Sequence, residues 1–186
     1  MSSTLAKTPL LTSPTKFHNS VHNAAAGYWT IGTGCLKPYT SVSGYYYTFA
    51  EGLLEAVSQA LSEGGPVLYV AFDIEARGAV ATMQPSVGVL AGALVISPQP
   101  GDRAVAQFTF DVKHDPLLRS TQARSENAAL VEGNALSNAL PLFEALADGA
   151  RREIVQALAP QLSLRVQLVP TAAAREVETP RRQMAQ

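Results

Sequence analysis

The segment PYTSVSG at residues 38–44, continued by YYYTF at residues 45–49, decides the predicted fold. It indicates a short buried strand over 39–43, a tight turn and the start of a helix. A strand that turns sharply into a helix is an arrangement in which enzymes hold a nucleophile above the end of a sheet. At this turn the chain has three consecutive tyrosines and no cysteine. The sequence therefore predicts the shape of a reactive site without its reactive group.

The residues after the turn predict a helix over 48–62. Thr48 and Glu51 have the spacing of a capping box, in which each side chain bonds the backbone N–H of the other residue. Apolar residues then recur every three to four positions, and Gly64 and Gly65 end the pattern. We therefore expect a well-defined helix that begins directly at the turn.

A nearly continuous apolar run at 67–73 predicts a strand that is covered on both faces, as in a parallel sheet. Together with the strand at 39–43 and the helix at 48–62, it predicts a right-handed βαβ unit. The expected fold class is therefore α/β, with a mixed sheet that contains this buried βαβ unit.

Apolar periodicity predicts the other elements. They are a helix over 13–31, a hairpin of strands 87–96 and 106–112, a helix over 141–158 and a last strand over 162–168. For the domain organisation we expect a flexible lead at 1–12, a single α/β domain at 13–170 and a mobile tail at 171–186.

Composition limits the class of protein. The chain has 186 residues, 47% of them hydrophobic, and a formal net charge of −1. Such a chain is long enough to bury a core, too apolar for a disordered protein and without the basic surplus that nucleic-acid binding needs. No apolar run approaches the roughly 20 residues of a membrane span. The N-terminus lacks the layout of a signal peptide, so we expect a cytoplasmic protein.

Cys35 and Ser43 are the candidate nucleophiles. Cys35 is the single cysteine, which excludes an intrachain disulfide and fits a reducing compartment. It precedes the turn by several residues with no evident base nearby, which favours a structural thiol. Ser43 followed by Gly44 matches half of a serine-hydrolase elbow, but that motif needs glycine on both sides and position 41 is Ser41. We therefore expect no catalytic residue in this chain.

His18 and His22 are four residues apart, which would place them on one face of a helix, as zinc ligands can be. A metal site needs a third or fourth ligand, and the only other histidine is His114. No metal or other cofactor is therefore expected. We expect His22 and Asn23 to hydrogen-bond backbone groups near the turn instead.

Several segments together carry a family resemblance. They are SPTKF at 13–17, SVHNA at 20–24, Gly27, the stretch 38–44, TFAEGLLEA at 48–56 and VLYVAFD at 67–73. In these segments the chain resembles β-ketoacyl synthase N-terminal-like, or chain-length-factor-like, proteins. The likeness covers roughly residues 10 to 100 well and the remainder weakly. The first two segments are the more specific ones.

The resemblance implies a thiolase-like fold, truncated to the first half of a ketosynthase without its opening strands. A working ketosynthase keeps its acyl-accepting cysteine at the turn and takes two further catalytic groups, usually histidines, from its second half. Chain length factors resemble their ketosynthase partner, lack the cysteine and shape the tunnel in which the acyl chain grows. In thiolase-like proteins the strand before the turn lies at the dimer interface.

From the resemblance we expect a non-catalytic subunit that forms a heterodimer with a ketosynthase. It would work with an acyl carrier protein in type II polyketide, aryl-polyene or fatty-acid-like biosynthesis. The candidate turn and tunnel residues are Ser43, Gly44, Tyr45, Tyr46 and Tyr47. The residues expected to support the turn are His22, Asn23, Thr48 and Glu51, and those expected at the partner interface are Tyr39, Thr40, Ser41 and Val42.

Two other interpretations stay open at this point. One is an acyltransferase or hydrolase that uses Ser43 or Cys35 as its nucleophile. The other is a homodimeric scaffold in which the tyrosines, as large amphipathic groups, join two copies of the chain.

Overall fold

The computed structural model describes Lys7 and residues 13–171. The chain divides between Val42 and Ser43 into a smaller N-terminal unit and a larger C-terminal unit. Apart from Lys7 and Thr171, the predicted lead at 1–12 and the predicted tail at 171–186 lie outside the described residues.

The N-terminal unit contains two helices, α1 at Pro14–His18 and α2 at Ala24–Thr33. Ser13 caps α1, because its Oγ accepts a hydrogen bond from the Lys16 N–H at 3.4 Å. The single helix predicted over 13–31 is wrong. The Ser20 hydroxyl donates to the Phe17 carbonyl at 2.7 Å, a local bond that competes with continuation of the helix. None of the described residues of this unit is buried.

The C-terminal unit begins with a 3₁₀ turn, Tyr45–Tyr47, that leads directly into helix α3, Thr48–Glu63. The later regular elements are β1 Val67–Ile74, α4 Ala79–Met83, β2 Val89–Ile96, β3 Ala106–His114, 3₁₀ turns at Glu126–Val131 and Ser137–Ala139, α5 Leu140–Ala147, β4 Arg152–Ala159 and β5 Leu162–Pro170. An α/β fold is therefore confirmed.

The strands form two antiparallel sheets. Strands β1 and β2 pair from Val67 opposite Ile96 to Ile74 opposite Val89, and the order in the other sheet is β3–β5–β4. The predicted βαβ unit within a mixed sheet is wrong, because β1 pairs with β2 in the antiparallel direction and residues 39–43 form no strand. The segment at 39–43 has only two apolar side chains, and no described strand lies hydrogen-bonded beside it.

Two further predictions are wrong, one about the partner of a strand and one about the length of a helix. Strand β3 pairs with β5 rather than forming a hairpin with β2. The helix predicted over 141–158 ends at Ala147, because Gly149 turns the chain with a φ of 59°. Residues 152–159 then pair with β5 as β4 and bury alternate side chains, so tertiary pairing overrides their helical propensity.

The hydrophobic core of the C-terminal unit lies between α3 and the inner faces of the sheets. Helix α3 buries one complete face, as its apolar periodicity predicts. The largest fully buried side chains of this core are Phe49, Leu53, Leu142, Ile154, Leu164, Val166 and Leu168. Because α3 is packed against this core along its length, the 3₁₀ turn that precedes it is attached to a well-packed helix.

Candidate functional site: the tyrosine turn

Residues 44–48, which we call the tyrosine turn, contain a strained backbone position. Tyr45 has a φ of 59°, in the left-handed region that residues with a side chain rarely adopt. Such a conformation costs about 1–3 kcal/mol and persists only where neighbouring contacts enforce it. The three tyrosines follow as one turn of 3₁₀ helix and lead into α3 at Thr48. The chain thus makes a sharp, strained entry into a helix, which is the second half of a strand–turn–helix elbow; the strand that would precede it is absent, because residues 39–43 are irregular.

Thr48 closes the turn with its hydroxyl. Its Oγ1 accepts a hydrogen bond from the Gly44 N–H at 3.0 Å and donates to the Tyr45 carbonyl at 2.8 Å. The predicted capping box with Glu51 is wrong, because the Thr48 N–H already donates to the Tyr45 carbonyl inside the 3₁₀ turn. Thr48 therefore closes the turn through bonds other than those of a capping box.

The Glu51 carboxylate lies against the α-carbon of Gly44. A Cβ atom at position 44 would stand 1.4 Å from Glu51 Oε2, so a side chain there would have to displace the carboxylate. The φ of Gly44 is −116°, which any residue can adopt, so close approach and not backbone freedom is what favours glycine here. One face of the tyrosine turn is consequently acidic.

Two side chains that the sequence analysis missed hold the turn from outside. The Tyr45 hydroxyl donates to the Met83 carbonyl at the end of α4. Gln84 Nε2 donates to the Tyr45 carbonyl at 3.3 Å, and Asn138 Nδ2 donates to the Tyr46 carbonyl at 3.4 Å. These residues are separated from the turn by tens of positions, so no local pattern could have indicated them. Together they supply the contacts that enforce the strained backbone.

The rings of Tyr45 and Tyr46 pack edge to face, with centroids 4.2 Å apart and an interplanar angle of 75°. About half of each side chain is exposed. Hydrogen bonding between the two hydroxyls, followed by desolvation, raises the pKa of Tyr45 above the ordinary value for tyrosine. The phenol is therefore neutral at physiological pH and is not a nucleophile there. The turn presents aromatic surface rather than a reactive group.

Two buried amide oxygens lie behind the tyrosine turn without a hydrogen-bond partner among the described residues. Gln156 on β4 is 4% exposed, and its Nε2 donates to the Asn138 carbonyl at 2.9 Å. Its own Oε1 and the Oδ1 of Asn138 have no donor. Unpaired buried acceptors are costly, so they indicate a place that accepts a donor from water or from a ligand.

Tyr69 fixes the first turn of α3 from the inner face of β1. Its hydroxyl donates to the Phe49 carbonyl at 2.9 Å, and its ring lies 3.0 Å from where a Cβ of Gly52 would be. Burial raises the pKa of Tyr69, so the hydroxyl stays protonated and remains a donor. Tyr69 is thus a positioning residue for the helix that carries the tyrosine turn, and no local sequence pattern indicates this role.

A cavity of about 290 Å³ lies beside Gln84. In its wall the Ser86 hydroxyl donates to the Asp73 carboxylate and accepts from the Ala135 N–H at 2.9 Å. No histidine lines this cavity, so the serine–carboxylate pair lacks the base of a hydrolytic triad. We interpret the pair as a structural link between β1 and the loop before the Ser137–Ala139 turn.

In the N-terminal unit, one predicted supporting residue, Asn23, is hydrogen-bonded to one predicted interface residue, Tyr39. Asn23 Nδ2 donates to the Tyr39 hydroxyl at 3.3 Å, and that hydroxyl lies 3.8 Å from where a Cβ of Gly27 would be. His22 lies exposed in the turn before α2. Residues 40–42 continue as exposed or half-buried irregular chain.

The remaining candidate side chains show no catalytic pairing. Cys35 is half-buried after α2, and Ser43 is exposed; among the described residues neither side chain is hydrogen-bonded to a histidine or a carboxylate. His18 ends α1 and stacks edge-on to Tyr28, whereas His22 is outside that helix, so the expected single helical face does not form. Within the described part of the chain, no three His, Cys, Asp or Glu side chains are grouped to hold a metal ion.

None of the described helices has both the length and the apolar character needed to cross a membrane.

Comparison with curated proteins and with solved structures gives no match. Comparison with protein families gives a match over residues 3–159, to the family described as β-ketoacyl synthase, N-terminal domain. This range includes the tyrosine turn, all of the helices described above and every described strand except β5. The chain therefore belongs to the β-ketoacyl synthase N-terminal domain family, with the thiolase-like fold class that this implies.

Proposed function

We propose that the chain is a non-catalytic, chain-length-factor-like subunit that pairs with a ketosynthase. The observation that carries the proposal is the strained entry into α3, where the chain has the phenol of Tyr45 and no nucleophile. In a working ketosynthase an acyl-accepting cysteine is expected at this turn. This chain, a member of the same family, has tyrosines and no cysteine at its turn.

The arrangement of the tyrosine turn supports a role in shaping a tunnel. Outside bonds from Met83, Gln84 and Asn138 keep the turn rigid, and a rigid wall limits chain length better than a mobile one. The half-exposed rings of Tyr45 and Tyr46 supply apolar surface suited to the end of an acyl chain. An acyl carrier protein would deliver that chain, in type II polyketide, aryl-polyene or fatty-acid-like biosynthesis in the cytoplasm.

Product length tests the proposed role. The chain would be co-expressed with a ketosynthase and carrier protein from the same pathway, with and without Tyr46→Ala. We expect a stable heterodimer and a shift to longer products, because removing the ring deepens the tunnel. Tyr28→Ala, which removes an equally exposed ring from α2, is the matched control. An unchanged length distribution in Tyr46→Ala would leave only a scaffold role and would contradict the proposal.

Covalent labelling separates this proposal from an enzyme that acts alone. The purified chain would be treated with an acyl-thioester probe and its intact mass measured. We expect no adduct, because neither Cys35 nor Ser43 is bonded to a base among the described residues. A stable adduct that Cys35→Ala or Ser43→Ala abolishes would establish an acyltransferase or hydrolase instead.

A further inference from the structure

The outward side of the β1–β2 sheet is apolar and exposed. Alternate residues of both strands point to this side, which we call the outer face; they are Leu68, Val70, Phe72 and Ile74 on β1 and Val89, Ala91, Ala93 and Val95 on β2. The six larger side chains are 46% to 73% exposed, and both alanines are exposed. The outer face contains no charged or polar side chain. Such a face is typical of an interaction surface.

The size of the outer face matches that of a dimer interface. Its eight side chains expose on the order of 700 Å², above the roughly 300–600 Å² of the largest patch on a typical monomer. A stable protein–protein interface buries about 800 Å² on each partner. The outer face alone is therefore nearly large enough to hold one protein partner.

The volumes on the outer face complement each other. In the middle of the face Phe72 pairs across the strands with Ala91 and Val70 with Ala93, so large side chains on β1 stand beside small ones on β2. At its two ends Leu68 pairs with Val95 and Ile74 with Val89. In a face-to-face pair of copies with a two-fold axis parallel to the strands, β1 of one copy lies over β2 of the other. Phe72 of each copy then lies over Ala91 of its partner, where the alanine leaves room. The absence of charge on the face removes any like-charge repulsion between the copies.

We propose that the outer face binds a second copy of this chain, forming a two-fold symmetric dimer in which the two β1–β2 sheets pack face to face. The sheets would lie about 10 Å apart, the usual spacing of packed sheets. This dimer does not depend on the proposed function, because none of the tyrosine-turn residues belongs to the outer face.

Sedimentation equilibrium of the purified full chain over a wide concentration range tests the proposal. We expect a monomer–dimer equilibrium, and we expect Phe72→Glu and Val95→Glu each to raise the dissociation constant at least about 100-fold, because each would bury an unpaired carboxylate. Leu130→Glu, at an 82% exposed position in the Glu126–Val131 turn, is the matched control and should leave the constant unchanged. Circular dichroism confirms that each variant is folded.

A volume exchange tests the geometry of the dimer. Ala91→Phe alone should weaken the dimer about tenfold or more, because two phenylalanines would meet at one position. Combining it with Phe72→Ala should restore much of the affinity, because large and small side chains would again lie opposite each other. A wild-type chain that is monomeric at every concentration would overturn the proposal. So would a dimer that both glutamate variants leave intact, or an outer face covered only in a complex with a ketosynthase.

Discussion

The two sheets of the C-terminal unit differ on the side that points away from the core. The outward side of the β3–β5–β4 sheet is polar, with Thr109 opposite Gln167 and Asp111 opposite Arg165. Arg165 also forms ion pairs of 3.0 Å with Glu153 and with Asp115. The outward side of the β1–β2 sheet is the apolar outer face. The outward side of the three-stranded sheet is therefore suited to contact with water. The outer face of the two-stranded sheet is suited to contact with another apolar surface.

The largest difference between the two sheets should be in the loss of unfolding free energy when a side chain is shortened, and the loss should be greater in the core of the three-stranded sheet. Leu164 on the central strand β5 is fully buried, so Leu164→Ala should lower the free energy of unfolding by about 2–5 kcal/mol. Val70→Ala on the outer face should cost under about 1 kcal/mol, because that side chain is half exposed in the single chain. Urea unfolding at a concentration that keeps the chain monomeric measures both. Equal losses would show that the outer face is covered within one chain.

A smaller effect should come from the inner side of the two-stranded sheet. A Cβ at Gly92 would lie 2.5 Å from the ring of Phe143 on α5. Gly92→Ala should therefore lower the free energy of unfolding by about 1–3 kcal/mol through overpacking. Phe143→Leu in the same chain should recover part of this loss, which thermal unfolding of the single and double variants would show. A fully tolerated Gly92→Ala would mean that the inner face is as loosely packed as the outer one.

The hydroxyl of Tyr69 should contribute about 1 kcal/mol, the net value of one hydrogen bond. Tyr69→Phe removes its bond to the Phe49 carbonyl and should lower the free energy of unfolding by that amount at neutral pH. Because folding raises the pKa of Tyr69, its contribution is fully present below the unfolded pKa of about 10 and declines as the pH rises towards the folded value. The difference between wild type and Tyr69→Phe should thus narrow above about pH 10. A difference that is constant from pH 7 to 11 would contradict this assignment.

The smallest change in the free energy of unfolding should come from placing glycine at the two strained positions, Gln161 and Tyr45. Gln161, in the turn between β4 and β5, has a φ of 61°, close to the 59° of Tyr45. Gln161→Gly should raise the free energy of unfolding by about 0.5 kcal/mol, since relief of strain slightly exceeds the added entropy of the unfolded chain. Tyr45→Gly should lower it instead, because the bond to the Met83 carbonyl is lost with the ring. Thermal unfolding of both variants would compare them, and a stabilising Tyr45→Gly would show that the anchor contributes little.

Local patterns predicted helix α3 and several strands of this chain well. The cap at Ser13, the end of α3 at Gly64 and the strand at 162–168 follow from residues within a few positions of one another. Strand partners could not be predicted in the same way. Whether β1 pairs with β2 or with an earlier strand depends on packing across the sheet, which apolar composition does not encode.

The candidate site shows the same limit. The sequence located the turn and its aromatic residues, and it indicated Thr48 as a support. It did not indicate Gln84, Asn138 or Tyr69, because their contacts with the turn and with α3 arise only when separate elements come together. The strain at Tyr45 could not be foreseen either, because tyrosine has no preference for a positive φ.

The contact between Glu51 and Gly44 has a consequence for any attempt to engineer the turn. A cysteine installed at position 45 would gain from the partial positive charge of the helix N-terminus, about half an elementary charge. The carboxylate of Glu51, which lies against the neighbouring residue Gly44, would counter this effect of the helix and favour the protonated thiol. Swapping the aromatic residue for a thiol would therefore not by itself create an acyl acceptor; neutralising Glu51 would be needed as well.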